Sequence, residues 1–331
     1  MCRTVIRSLF ILLTLTAIHL GALAKAQAQD YPSKPITVVV VTAAGTGLDA
    51  VARTWGSQLA QSIGKPVVFD NRPGADGIVA VNALKGTSAD GHTLLVGHIG
   101  VLALNQTIYK QLPYDTAKDF IPVSLYLKSP FILIVHPSLP VRSVPELVAY
   151  VKARPGQLSY SSTGPGGAPR LATEMFMQNF GLNITHVPYK TTPQAIVDVA
   201  AGHVQLGFAE AGASQQLIRD KRLRALVVST LTRFNSMPEV PTLAEATNRP
   251  GLEAVSWHAL VAPAATPRPV VNRLHSEMNR ILKMPEVNKA ISNLDFIPVA
   301  PASIEDNQQY IASEAKKWGA LITKLGLAGA Q

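Results

Sequence analysis

Residues 36–53 read ITVVVVTAAGTGLDAVAR: an apolar, β-branched run, a glycine loop, and the start of a stretch with helical spacing. That order predicts a strand, a tight turn and a helix. The segment Gly45-Thr46-Gly47-Leu48-Asp49-Ala50 fits G-x-G-x-x-G/A, and the extended run PVVF beyond the helix ends at Asp70, about where a dinucleotide-binding unit keeps its ribose-binding acid. The chemistry of such a loop is broader than that motif. Amides at a helix N-terminus are unpaired donors at the positive end of a dipole, and glycine lets them approach an anion closely, whether phosphate or carboxylate.

Outward from this stretch the sequence repeats itself. The first helix closes at Gly64, and strand PVVFDN (66–71), a second helix around 77–84 and strand HTLLVG (92–97) follow. Residues 158–208 take the same course: strand LSYSS, loop TGPGG, helix APRLATEMFMQNF closed by Gly181, strand ITHVPYK, helix PQAIVDVAAG and strand VQLGF. Two copies of this rhythm predict an α/β chain of two lobes, each built on parallel strands. The extended segments 122–137 and 255–264 are expected to cross between them, and the tail is helical, with capping boxes predicted at Ser143–Glu146 and Ser303–Asp306. The expected division is 29–127 with 255–331 as lobe 1 and 128–254 as lobe 2, joined by a hinge of two crossovers. A dinucleotide site needs one glycine loop, whereas two loops in opposed lobes suit the clamping of a small anion.

The N-terminus, MCRTVIRSLFILLTLTAIHLGALAKAQAQ, has Arg3 and Arg7, an apolar run and small-residue sites. It is the pattern of a secretory signal peptide over residues 1–28, cleaved after Ala28, with Ala22-Leu23-Ala24 as the second site. The competing reading is a membrane anchor, but the run from Ser8 to Leu23 includes Thr, Ser and His19 and falls short of the ~20 residues of a span. Cys2 is the only cysteine and precedes the apolar run, so the exported chain is expected to have no disulfide, no thiolate metal ligand and no cysteine nucleophile. A 47% apolar content over about 300 residues suffices for two packed domains without such staples.

The formal charge of +9 falls to +6 once Arg3, Arg7 and Lys25 are removed. Modest positive charge raises the local concentration of a small anion; solubility alone is the alternative reading. The basic residues are scattered and no basic-aromatic track appears, so no nucleic-acid partner is expected.

From Tyr31 onward an ordered series of motifs resembles the Bug-type periplasmic solute receptors of tripartite tricarboxylate transporters. The series is YPSKPITVVV, AAG-x-G-x-D-x-x-AR, GKPVVFDNRPGADG, ADGHTLLVG, YKQLPYDTAKDFIPVSL, LSYSSTGPGG, HVPYK, RLRALVV, MPEVPTLAEA and VSWHALVAPAATP. The resemblance implies a type II Venus-flytrap binding protein, a periplasmic monomer without cofactor that hands small carboxylates to membrane subunits of a transporter. Asp70 then becomes an ordinary acid ahead of the NRPG turn. In the family two loops grip the carboxylate; carried over, they are Ala44, Gly45, Thr46, Gly47 and Asp49, and Ser162, Thr163, Gly164, Gly166 and Gly167. Asp49 reads equally well as a cap on its own helix.

Against the family's usual pattern, Leu48 stands where Thr is frequent, His98-Ile99 replace a Thr-Ser pair, Pro165 and Gly167 replace Asn and Thr, Arg170 replaces His, and Ala209-Glu210 replace Asp-Asn. With those donors gone, a flat, sparsely oxygenated acid, aromatic acids included, is expected to pack on Leu48, Ile99 and Trp257, at a saving of about 1–3 kcal/mol for each ligand polar group not left unpaired. Arg170, if it faces the cleft, would pair a second carboxylate and favour a diacid. His98 reads as a capping or buried histidine or as a ligand contact, and Trp257 as cleft wall or core. Glu210 would repel an anion unless protonated or aimed at a hydroxyl or amine; otherwise it is simply solvated.

No G-x-S-x-G elbow, H-E-x-x-H or Walker motif is present, and the histidines lack metal spacing. The chain is therefore expected not to be an enzyme. The competing classes are a secreted α/β enzyme using the first glycine loop and a receptor that reports ligand occupancy to a signalling partner.

Overall fold

The computed structural model describes residues 31–331 apart from 165, 166, 190 and 235; the expected signal peptide lies outside the described residues. Its strands form one mixed sheet in the order β2-β1-β3-β9-β4-β7-β5-β6, with β8 and β10 (Ile297–Pro298) pairing onto β4. The repeat in the sequence reappears as geometry. In the first copy β1 (Ile36–Val40) lies between β2 (Val67–Asn71) and β3 (Thr93–His98), all parallel. In the second, β5 (Ser159–Thr163) lies in the same way between β6 (Thr185–Tyr189) and β7 (Leu206–Glu210).

Helix α1 (Gly47–Ile63) follows the first strand of copy one, and α2 (Ile78–Lys85) the second. In copy two the equivalents are α3 (Ala168–Phe180) and α4 (Thr192–Ala201). Both leading helices stop at a left-handed glycine, Gly64 (φ 66°) and Gly181 (φ 61°), the conformation that an L side chain resists. α1 holds its place through Trp55 and Leu59, which are completely buried, each contributing about 2–3 kcal/mol of apolar burial.

Two antiparallel strands join the halves. β4 (Phe120–Val135) pairs with β9 (Val255–Pro263) from Phe120–Pro263 to Pro130–Val255, while its last residues, Phe131–Val135, turn to β7 and β8 (Arg224–Val228). β4 therefore belongs to both halves of the sheet, and the chain returns beside it. The waist lies where Ser129 faces Ser256 and Pro130 faces Val255. This is the two-lobed α/β fold of type II binding proteins, with the two crossovers side by side. A long helix, α5 (Ile304–Lys324), opens on a capping box in which Ser303 and Asp306 satisfy each other's amides, and it packs along β4. At Ser143 the cap is one-sided: its hydroxyl accepts from the Glu146 N–H, but the Glu146 carboxylate takes the N–H of Arg142.

Candidate ligand-binding site

In open α/β sheets ligands collect beyond the carboxyl ends of the strands, where the loops leave for their helices. Here those ends, from β1, β3, β5 and β7, meet at a cleft of about 560 Å³. Its lobe 1 wall includes Thr42, Leu48, Asp76, His98, Ile99 and Asn105, and its lobe 2 wall Gly164, Gly167, Pro169, Tyr189 and Glu210.

The strand register explains which side chains arrive there. His98 on β3 lies opposite His258 on β9, and their rings meet edge to face at 5.9 Å. The equivalent end of the second copy sets Glu210 on β7 opposite Phe131 on β4. Both pairs line the cleft. Alternation along β9 then presents Ser256 and His258 to the cleft and turns Trp257 away. Trp257 is fully buried, donates its indole N–H to Glu314 at 3.2 Å and stacks edge-on against Tyr310. It is a core residue, and Phe131 supplies the aromatic wall instead.

The two glycine loops are not alike in detail. In the first, the Thr46 hydroxyl caps α1 by accepting from the Asp49 N–H at 3.3 Å. Asp49 itself is buried and accepts from the Gly45 N–H, from Arg53 and from Asn71, each at 2.9 Å. Burial alone would raise this carboxyl, but the bonds from Arg53, Gly45 and Asn71 outweigh it and hold its pKa below the usual range. Asp49 thus holds the loop together, and the Gly45 amide is spent on it. Ala44, Gly45, Thr46, Gly47 and Asp49 do not line the cleft; Thr42 and Leu48, on either side of them, do. The amides of Gly47 and Leu48 open the helix and have no partner within it.

In the second loop, Gly164 and Gly167 line the cleft with Ala168 and Pro169, and α3 begins at Gly167 without a side-chain cap. Gly166 and the side chain of Thr163 lie outside the described residues. Ser162 is buried behind the loop, where its hydroxyl bonds to His186 Nε2 at 2.7 Å. Burial, and after it the charge of Arg170, lower the His186 pKa to about 4, so at neutral pH the ring is uncharged. Arg170 is half-buried, 3.8 Å from Glu174, whose carboxylate accepts the Tyr160 hydroxyl at 2.7 Å. The guanidinium belongs to this cluster and does not line the cleft.

His98 keeps its Nδ1 as an acceptor for the Val101 N–H at 3.4 Å, which leaves the proton on Nε2. Burial lowers its pKa, against a smaller opposing pull from Asp76. His258 is 2% exposed and its Nδ1 has no partner; burial and then the neighbouring His98 push its pKa well down. Protein encloses Glu210 closely enough to raise its pKa, so the group that reads as an anion in the sequence is biased toward its neutral acid form.

Several lining residues carry no sequence signal of their own: Asp76, Asn105, Phe131, Tyr189, Ser256 and His258. Phe131 and His258 become legible only through the register. Of the expected packing surface, Leu48 and Ile99 line the cleft and Trp257 does not, and polar groups share the walls with them. A second concavity, about 450 Å³ on lobe 1 between Leu102, Phe120, Val261 and Ile311, is mostly apolar and touches neither glycine loop. Asp70 pairs with Arg72 at 2.8 Å on the surface. Among the described residues no cluster of His, Cys, Asp and Glu is placed to hold a metal, and no helix is long and apolar enough to cross a membrane.

Residues 51–327 match the model of the tripartite tricarboxylate transporter family receptor. The chain belongs to that family. It is 32% identical over 307 residues to protein BugT of Bordetella pertussis, covering 92% of this chain and 94% of that one. An R. palustris protein solved with adipate superimposes with a TM-score of 0.80 at 33% identity, over 90% of this chain and 99% of that one. MatC of Rhodopseudomonas palustris, solved with malate, gives 0.75 at 28% identity, over 88% and 100%. The receptor family is one of periplasmic solute-binding proteins and not of enzymes, so the G-x-G-x-x-A segment is a receptor loop and not a nicotinamide site.

Proposed function

We propose that this protein is an exported periplasmic receptor that holds a small organic carboxylate between its lobes and delivers it to the membrane subunits of a tripartite tricarboxylate-type transporter. The observation that carries the reading is the convergence of two equivalent loop-to-helix turns, from α1 and α3, on one cleft. Its natural partner is an anion small enough to touch both. The adipate and malate of the R. palustris relatives support the carboxylate class.

One carboxylate bridges the amide of Leu48 and those of Gly164 and Gly167, while Leu48, Ile99 and Phe131 flank the carbon skeleton and His98 and Glu210 offer hydrogen bonds. Ala44, Gly45, Thr46, Asp49 and Ser162 shape the loops from behind. The signal peptide of residues 1–28 is removed before the monomer acts. Lobe 1 is 29–127 with 255–331, lobe 2 is 128–254, and closure about the paired crossovers traps the ligand because the closed state offers it contacts from both sides.

Thermal-shift titration against monocarboxylates, C4 and C6 diacids, citrate and aromatic acids, with NAD(H) as the control, tests the reading. Saturable stabilisation by a carboxylate, with a smaller radius of gyration by X-ray scattering at saturation, is expected. Saturable NAD binding, or chemical turnover of any carboxylate, would refute it.

A further inference from the structure

Asp76 is the unexplained residue of the cleft. It sits in the turn of residues 75–77 that leads into α2, and it adopts φ 47° and ψ 36° next to Ala75 at φ 46°. Two consecutive non-glycine residues in the left-handed region cost about 1 kcal/mol or more each. A turn that needed only this backbone would be better served by glycine. What the aspartate adds is a carboxylate on the lobe 1 wall beside His98, whose pKa feels its charge.

Its surroundings fix how that carboxylate is presented. The Tyr109 hydroxyl donates to Asp76 Oδ2 at 2.8 Å. Asn105, 2% exposed and also on the cleft wall, donates one amide hydrogen to the Asp76 carbonyl and the other to the Tyr114 hydroxyl, both at 3.0 Å. Both Asn105 hydrogens are spent inward, so only its Oδ1 remains to meet a ligand. Tyr189 on the opposite wall spends its hydrogen likewise, on Asp198 at 2.8 Å. Apart from the Nε2–H of His98, the polar groups left around Asp76 are therefore acceptors. A second ligand carboxylate brought to this corner would face a like charge; a hydroxyl or ammonium would find an acceptor and, for the ammonium, a charge of opposite sign.

We propose that Asp76 is a specificity-determining residue: with Asn105 Oδ1 it receives an O–H or N–H donor carried by the same molecule whose carboxylate rests on the loop amides. The ligand class is thereby narrowed from carboxylates to hydroxy- or amino-carboxylates. The inference rests on the receptor reading above and makes a claim that the reading does not require.

The test is a matched series on three skeletons: succinate, malate and aspartate; adipate, 2-hydroxyadipate and 2-aminoadipate; benzoate with its hydroxy and amino derivatives. Affinities are measured by calorimetry on the full mature chain and on Asp76→Asn, a residue that tolerates the left-handed backbone and can still accept from Tyr109. On the skeleton that binds best, a donor-bearing member should bind about tenfold tighter than the donor-free one, as a charge-assisted bond predicts. In Asp76→Asn an ammonium preference should disappear and a hydroxyl preference should shrink, while the donor-free diacids, relieved of a like charge, should bind at least as tightly as before; which of the two preferences changes tells ammonium from hydroxyl. Equal or tighter binding of the donor-free member, or an equal loss for all three in the variant, overturns the inference and leaves the receptor reading standing. Failure of every carboxylate to bind overturns both.

Discussion

The two glycine loops occupy equivalent places in a duplicated unit, yet one is closed by its own chain and the other is left open. Thr46 caps α1, and Asp49 draws Gly45, Arg53 and Asn71 onto one carboxylate. α3 starts at Gly167 with no side-chain cap. The two copies share a strand-loop-helix geometry, and only the first satisfies it with its own side chains. Loop 1 is a platform held by its internal anion, and under the proposed function loop 2 keeps its donors for the guest.

The largest break in this comparison is expected from Asp49→Ala. It leaves the Gly45 amide, Arg53 and Asn71 without their shared acceptor. Removing a buried, multiply bonded carboxylate costs about 3 kcal/mol of stability, to be read from urea unfolding. If stability were unchanged and carboxylate affinity rose, Asp49 would be a gate on the loop and not its platform.

The strand ends that flank the loops make a second contrast. His98 ends β3 and Glu210 ends β7, so the same structural position carries a base in one lobe and an acid in the other. Burial lowers the first and raises the second. For His98 and its neighbour His258, the unfolded chain takes up protons below about pH 6.5 while the folded chain resists, so stability falls with pH from that point down, by at most about 1.4 kcal/mol per pH unit per histidine. For Glu210 the sign reverses: its contribution is intact below the ordinary glutamate range and is lost as pH climbs through its raised value. Glu210→Gln should therefore stabilise the ligand-free protein at pH 8 and leave it unchanged at pH 4. A pH-independent effect of the substitution would mean that folding does not raise the pKa of this group.

How far the sequence discloses this molecule depends on the kind of signal. The β-branched runs, the helix-closing glycines and the duplicated order are local chemistry, so both parallel units and the two crossovers can be read from residues alone. The cleft walls are not local. Whether Trp257 or its neighbours His258 and Ser256 face the ligand depends on a register with β3 and β4 that no single strand encodes, and a one-residue shift inverts the answer. Arg170 misled in another way. A cation near a glycine loop looks like an anion ligand until Glu174 and Tyr160 are seen beneath it. Asp76 gives no pattern at all, because its significance lies in a left-handed backbone angle.

A smaller effect checks the register directly. Trp257→Phe keeps the ring but removes the N–H that reaches Glu314, an acid that still accepts from Trp318 at 2.9 Å and pairs with Lys317. The expected cost is about 2 kcal/mol of stability, one hydrogen bond whose acceptor stays satisfied together with the burial lost where a phenyl replaces a fully buried indole. Carboxylate affinity should not move. A several-fold loss of affinity at unchanged stability would return Trp257 to the cleft wall and unsettle the alternation on β9.

The subtlest expected change acts on loop 2 alone. Gly167 has φ −66° and ψ 134°, an extended conformation open to any L residue, at the cap position of α3. Gly167→Ser would supply the side-chain acceptor that Thr46 supplies to α1, and serine exceeds glycine as a cap by only about 0.3 kcal/mol, a small gain in thermal stability. The hydroxyl would take the Arg170 N–H, and the added side chain, on a residue that lines the cleft, would crowd the loop amides that the ligand is proposed to use, so carboxylate affinity should fall as stability rises. Thr46→Gly is the mirror experiment: it should cost a similar fraction of stability, and carboxylate affinity should stay level because the amide it frees lies behind Leu48. Opposite signs at Gly167 with affinity unchanged at Thr46 would sharpen the division between a self-satisfied loop and an open one. Parallel losses of affinity at both positions would show that the guest leans on the two loops alike.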